Sequence, residues 1–254
     1  MKNRGVLVII VCIFGFIIIR SCNKSNSNSR SATYEKTPVD ELIVELSAEQ
    51  NYSIILADMD SRNSNYYHKY NTLIEKPDTV LVRNSDWEKV SDVFFDANIN
   101  NLGMAIATKK DGKLSRVASP AGYDNFVGNE KYGRWEQRNG NSFWAFYGQY
   151  MFMSSIFNLA ANPARRSYYD DYRGGGYYGR RPYYGPSGNA YGTRSYTSGG
   201  SGSKTTWASK PSTFKNDVRS KVSRSAQQTK TRRSRSSSRY SRSSSRSRGG
   251  GFGK

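Results

Sequence analysis

The hydrophobic and polar positions of this chain change their spacing from segment to segment, and each spacing predicts an element. Val39, Leu42, Ile43 and Leu46 recur at i, i+3, i+4 and i+7, which gives a helix with one buried face. Thr37-Pro38-Val39-Asp40 opens it with a capping hydroxyl, a proline at the first helical position and a carboxylate near the positive helix end. Residues 52–57 (YSIILA) form an unbroken apolar run of strand length, 66–74 is β-prone, and 79–82 is short and β-branched. Ser85-Asp86-Trp87-Glu88 has the form of a capping box opening a second helix, with Trp87, Val90 and Phe94 on one face. Residues 103–108 and 113–117 flank Asp111-Gly112, a strong hairpin signal. The order over 33–135 predicts a small α+β domain, two helices on a mostly antiparallel sheet. About 100 residues suffice for a core of its own.

Two apolar runs lie outside this domain. Residues 5–19 (GVLVIIVCIFGFIII) follow Met1-Lys2-Asn3-Arg4, the charged and apolar regions of a secretory signal. As a helix this run rises about 22 Å, short of the ~30 Å hydrocarbon core. Arg20 can snorkel and extend it, so an uncleaved signal-anchor remains open. Ile19-Arg20-Ser21-Cys22 also resembles a bacterial lipoprotein box, which implies acylation of Cys22. Arg20 departs from that pattern. Residues 1–22 are therefore read as signal-anchor or lipoprotein signal, and 23–32 as a polar tether.

The second run, 142–162, places Phe143, Phe146, Tyr150, Met153 and Phe157 at helical spacing. It predicts an apolar helix that is buried, interfacial or a second span. If it spans, the basic tail lies in the cytoplasm, as the positive-inside tendency favours.

Beyond it the pattern dissolves. Residues 163–203 are rich in Tyr, Gly and Arg, and 204–254 in Arg and Ser, with few aliphatic side chains to offset ordering entropy. Both segments are expected to be disordered. The unit SRSSSR occurs at 234–239 and again at 241–246. The chain has 39 Lys and Arg against 20 Asp and Glu, a net +19, and this excess sits in the tail while 33–136 is mildly acidic. Arg232, Arg233, Arg235, Arg239, Arg242, Arg246 and Arg248 are the candidate polyanion-binding residues, since arginine forks suit phosphate and carboxylate. Tyr168 to Tyr184 would add stacking contacts. The tail resembles the Arg/Ser and Arg-Gly-Gly tails of RNA-binding proteins in composition, without an RRM, KH or OB signature.

Candidate chemistry is sparse. Cys12 and Cys22 are the two cysteines, both near the start, which excludes a disulfide framework and a thiolate zinc site. His68 is the one histidine and reads as a polar strand position. Asp58-Met59-Asp60 after a buried strand resembles the D-x-D of haloacid-dehalogenase-type phosphatases and of glycosyltransferases, which implies a shared metal ion. Ser61-Arg62-Asn63 does not continue the phosphatase pattern, and two turn-forming aspartates over a loop 59–65 are the alternative. No Walker phosphate loop, H-E-x-x-H or G-x-S-x-G is present.

Ser142-Phe143-Trp144, a Tyr- and Met-rich apolar stretch and a Gly250-Gly251-Phe252-Gly253 end resemble the YgiB-type bacterial envelope proteins. That resemblance implies an envelope location and no mechanism. The leading expectation is a membrane-anchored, non-enzymatic envelope protein whose cationic tail binds an anionic polymer or lipid, with no cofactor and no small-molecule substrate. The alternatives are a two-span protein with a cytoplasmic nucleic-acid-binding tail, and a metal-dependent hydrolase or transferase using Asp58 and Asp60.

Overall fold

Three hairpins of one kind organise the strands, two in the main sheet and one as a separate two-stranded sheet. In the computed structural model, which describes residues 35–198 and 204–241 with side chains as far as Thr231, the turns Asn63-Ser64, Asp111-Gly112 and Asn139-Gly140 have positive φ at both residues. Each joins strands paired right up to the turn, at Arg62↔Asn65, Lys110↔Lys113 and Arg138↔Asn141. Two successive left-handed residues match the right-handed twist of the flanking strands, so the chain reverses without splaying them.

The first hairpin joins β1 (Tyr52–Arg62) to β2 (Asn65–Glu75), and β3 (Val80–Asn84) and β4 (Glu88–Val90) pair with the two halves of β2. On the other side β5 (Met104–Lys110) pairs with β1, and β6 (Lys113–Ser115) and β7 (Ser119–Pro120) pair with β5. All these pairings are antiparallel, in the order β3-β2-β1-β5-β6. The expected α+β domain with a mostly antiparallel sheet is what forms. Seven α-helices occur among the described residues, where two were expected on the sheet.

A bulge at Ala57 sets the side-chain parity of β1: Leu56 pairs Tyr70, but Asp58 pairs Lys69. Tyr52, Ile54 and Leu56 face one core, and the extra residue lets Met59 join that core in place of Asp58 or Asp60. The expected loop 59–65 shrinks to Asn63-Ser64, so the D-x-D lies inside a strand.

Helix α1 (Pro38–Glu45) starts as the sequence predicts, with Thr37 and Asp40 satisfying each other's backbone N–H. The second helix starts later than expected. Ser91 caps α2 (Asp92–Asn98), while residues 88–90 are drawn into the sheet because Tyr66, Tyr67 and His68 pair with Val90, Lys89 and Glu88. Ser85 instead gives its hydroxyl oxygen to the Tyr70 N–H, at 2.9 Å.

The larger corrections fall after residue 130. No helix covers 142–162. Strands β8 (Gly133–Arg138) and β9 (Asn141–Phe146) form a hairpin around Asn139-Gly140, followed by a 3-10 turn (Gly148–Tyr150) and the short helix α3 (Phe152–Ile156). Among the described residues no helix is long and apolar enough to cross a membrane. Phe146, Tyr150, Met153 and Phe157 are nevertheless buried together, so the right residues point inward from a different set of elements. An Asn-Gly step between aromatic residues carries a hairpin signal that outweighs helical spacing.

Residues 163–198 are not disordered. Helix α4 (Arg166–Gly174), the loop after it and helix α5 (Thr193–Tyr196) bury Tyr172, Tyr183 and Tyr196. Residues 204–241 fold too, as the single turn α6 (Thr206–Ser209) and the long helix α7 (Ser212–Ser241). Val218, Val222 and Ala226, spaced four apart, are buried. Helix α7 runs antiparallel to α2: Arg219 reaches Asn100 beyond the end of α2, and the Ser225 hydroxyl bonds Asp92 at its start.

The sheet is thus covered on both faces. One core holds Ile54, Leu56, Ile106, Phe95, Trp207, Val218 and Val222 under α1, α2, α6 and α7. The other holds Ile55, Leu73, Tyr123, Phe126, Tyr132, Trp144, Phe157, Tyr172 and Tyr183 under the β8–β9 hairpin and the tyrosine-rich segment.

Candidate polyanion-binding surface

The arginine-rich segment leaves the domain along α7. Along this helix the Thr229 hydroxyl still meets Asp92 at 3.4 Å, and the helical backbone continues to Ser241. Arg232, Arg233, Arg235 and Arg239 therefore fall on a helix continuous with the docked part. At 1.5 Å per residue, the stretch beyond Thr229 is about 18 Å long. Arg242, Arg246 and Arg248 lie outside the described residues, as do the 1–22 segment with Cys22 and the 23–32 tether.

Asp58 and Asp60 are not an open metal site. The Asp58 carboxylate accepts the Thr206 N–H at 2.7 Å and the Trp207 N–H at 3.2 Å, capping α6 along the edge of β1 that β5 leaves uncovered. Asp60 is buried, and its two oxygens meet Arg62 Nε at 2.6 Å, Lys210 Nζ at 3.2 Å and the Ser61 N–H at 2.9 Å. Each carboxylate therefore holds the 204–210 segment against β1. Among the described residues no group of three or more His, Cys, Asp or Glu side chains converges as a metal site would need. This corrects the metal-sharing reading of the D-x-D.

His68 is fully buried, with its ring 5.1 Å from Phe95 and its Nδ1 3.1 Å from the Tyr70 hydroxyl. Burial holds its pKa down at about 3, so the imidazole is neutral. Among the described residues its Nε2 has no hydrogen-bond partner. A cleft of about 370 Å³ does lie between α1, α2 and β5, lined by Val39, Phe94, Ala97, Ile106, Val117 and Pro182. Its polar lining is Asn98, Asn101 and Arg116, and Arg116 forms an ion pair with Asp40. No nucleophile or general base faces it.

The tyrosines expected as stacking contacts divide into two groups. Tyr172 and Tyr183 are 2% and 0% exposed and serve the core. Tyr172 donates to Asp124 Oδ1 at 2.6 Å, where Thr108 and Ser119 donate to Oδ2 at 2.8 and 2.9 Å. Tyr183 donates to Asp171 at 2.8 Å, Tyr184 donates to Asn101 at 2.6 Å, and the Tyr123 and Tyr191 hydroxyls pair with each other. Burial foremost raises the pKa of Tyr172 and Tyr183, so both stay uncharged well into alkali. Tyr178, at 38% exposed, and the half-buried Tyr177 remain at the surface, beneath the guanidinium groups of Arg173 and Arg181 at 4.1 and 4.0 Å from the ring centroids. Neither guanidinium was singled out by the sequence, because the arginine-dense end of the tail outweighs them in any composition count.

Comparison with protein-family models, with curated proteins and with solved structures finds no match to this chain.

Proposed function

We propose that this chain is a membrane-anchored envelope protein without catalytic activity, which uses its arginine-rich C-terminal segment to bind an anionic polymer or surface. The observation that supports it most is α7, whose docked face at Val218, Val222 and Ala226 runs without a break into Arg232–Arg239. A polycation on a free coil explores all directions; one that leaves a domain on a helix starts from a fixed exit point. Dense like charge then attracts phosphate and carboxylate over a distance set by salt. The anchor rests on the apolar 5–19 run, with acylation of Cys22 as its other form. The alternative that needs 142–162 to span, and so a cytoplasmic nucleic-acid tail, has less support, because 141–146 pair as a strand and 152–156 form a separate short helix.

The test is removal of 232–254, which spares Val218 and Val222; a cut at 217 would unroof the first core and confound the result. Binding to polyphosphate and to anionic vesicles should weaken at least about tenfold at low salt, with a shallower salt dependence. Unchanged affinity and slope reject the reading. Protease accessibility of a C-terminal tag in intact cells then reports the side of the membrane: digestion without lysis supports the envelope placement, and protection until lysis, with a cytoplasmic control also protected, favours a cytoplasmic tail.

A further inference from the structure

We propose a second polyanion-binding surface, on the folded domain and independent of the tail, formed by Lys110, Arg173, Arg180 and Arg181 with Tyr177 and Tyr178 and fitted to a single-stranded nucleic acid.

The surface is built at the end of α4 and in the glycine-rich loop after it. Gly176 and Gly179 have φ of +74° and +65°, and a Cβ at either would meet nothing, so the loop turns outward by left-handed steps into open solvent. This presents Tyr177-Tyr178 and Arg180-Arg181 on one exposed turn. The two rings are not loose: Tyr177 packs at 4.7 Å on the buried Tyr183, and Tyr178 at 6.0 Å on the buried Tyr172. Arg173 and Arg181 lie over these rings, and Arg181 also donates to the Gly175 carbonyl at 3.2 Å. Stacked guanidinium groups lose little further freedom when they bind an anion.

The cations there are not paired off. Among the described residues none of the four cations forms a salt bridge, while nearby Asp170 pairs with Arg166 at 3.2 Å and Asp171 accepts from Tyr183. The Lys110 ammonium donates to the Asp124 carbonyl at 2.9 Å. Its pKa is lowered first by burial and then by the charge of Arg173, against smaller pulls from Asp111, Asp124 and Glu75. Like charges are thus held within reach of each other, which an anion relieves. In two other clusters of this type the arginine is paired: Arg62 over Trp87 at 4.8 Å with Asp60, and Arg166 over Trp135 at 5.2 Å with Asp170.

Single strands fit better than the other polyanions. Four cations alone would suit any of them, but two guanidinium planes beside an exposed tyrosine also offer flat surfaces on which bases stack. Residues 173–181 (RGGGYYGRR) contain no aliphatic side chain to enter lipid.

The test uses the full chain and the chain lacking 232–254, each with and without Arg173→Gln and Arg181→Gln, against a labelled 12-nucleotide oligothymidylate. The shortened chain should still bind, with a slope of log K against log salt near about −3 for four contacts. The double variant should weaken it at least about tenfold and make the slope shallower by about 1.4, in the full chain as well. Arg180→Gln, which among the described residues removes no side-chain hydrogen bond or ion pair, should make it shallower by about 0.7 with an unchanged melting temperature. Loss of all binding on removing 232–254, or indifference to these arginines, overturns the site. Equal arginine-dependent affinity for inorganic polyphosphate or anionic vesicles overturns the nucleic-acid assignment. Tail failure and surface failure read out in different variants.

Discussion

The two faces of one sheet are packed with different chemistry. On the helical face the core is mostly aliphatic, with Ile54, Leu56, Ile106, Val218 and Val222 around Phe95 and Trp207. On the other it is mostly rings, and many carry hydroxyls that need partners. An aliphatic core asks only for volume and dryness, whereas a tyrosine core also has to satisfy every buried O–H. Asp124 and Asp171 accept from Tyr172 and Tyr183, while the buried Tyr132 hydroxyl has no hydrogen-bond partner among the described residues. A chain poor in Leu, Ile and Val can therefore still bury a large core, provided a few short polar residues sit at the right places.

The contrast is sharpest in acid, where the helical face has a weak point of its own. His68 lies in the helical-face core, near Tyr70 and opposite Glu88 in the strand register. Its folded pKa near 3 lies below the ordinary 6.5, so the unfolded chain binds the extra proton between those values and stability falls as pH drops through that window. The loss should approach 1.4 kcal/mol per pH unit and total about 5 kcal/mol. Denaturant titration of the native chain against His68→Leu checks it: both share the carboxylate contribution, so parallel acid profiles reject the assignment. Alkali acts on both faces. Tyr172 and Tyr183 on the ring face and Tyr70 on the helical face have raised pKa values, so the unfolded chain ionises first and stability falls as pH climbs above about 10.

A smaller effect separates the faces at neutral pH. Asp124→Ala should cost about 3 to 5 kcal/mol, because three buried hydroxyls lose their acceptor together. Tyr172→Phe should cost about 2 kcal/mol, and Ile54→Val on the helical face about 1 kcal/mol. Chemical denaturation gives the order; a Tyr172→Phe variant as stable as native would mean the hydroxyl network is incidental. Smallest of all, removing 232–254 should shift the folding free energy by no more than about 0.5 kcal/mol. A large drop would show that the arginine segment supports the fold as well as extending from it.

What the sequence made legible follows a physical line. Short-range signals held where one residue or one turn decides the outcome: Thr37 with Pro38 opens α1, Asp111-Gly112 turns a hairpin, and the β-prone runs become β1, β2, β3 and β5. Asn139-Gly140 carries the same signal for β8 and β9, just ahead of an aromatic run whose helical spacing points the other way. Asp58 and Asp60 stand in the sequence as an adjacent pair, but what they do depends on a segment 148 positions away, which the chain brings back only when folded. The tyrosines of 168–196 show the same limit. Their type and spacing set the composition, yet whether a ring is core or surface depends on which hydroxyl finds an acceptor: Tyr172 reaches Asp124 and is buried, while Tyr178 beside it stays out under Arg173. By itself the sequence determined the charge asymmetry, the apolar start and the local turns. Only the tertiary structure decided that the tyrosine-rich stretch is a core and that the first half of the basic tail is a docked helix, because both depend on partners far away along the chain.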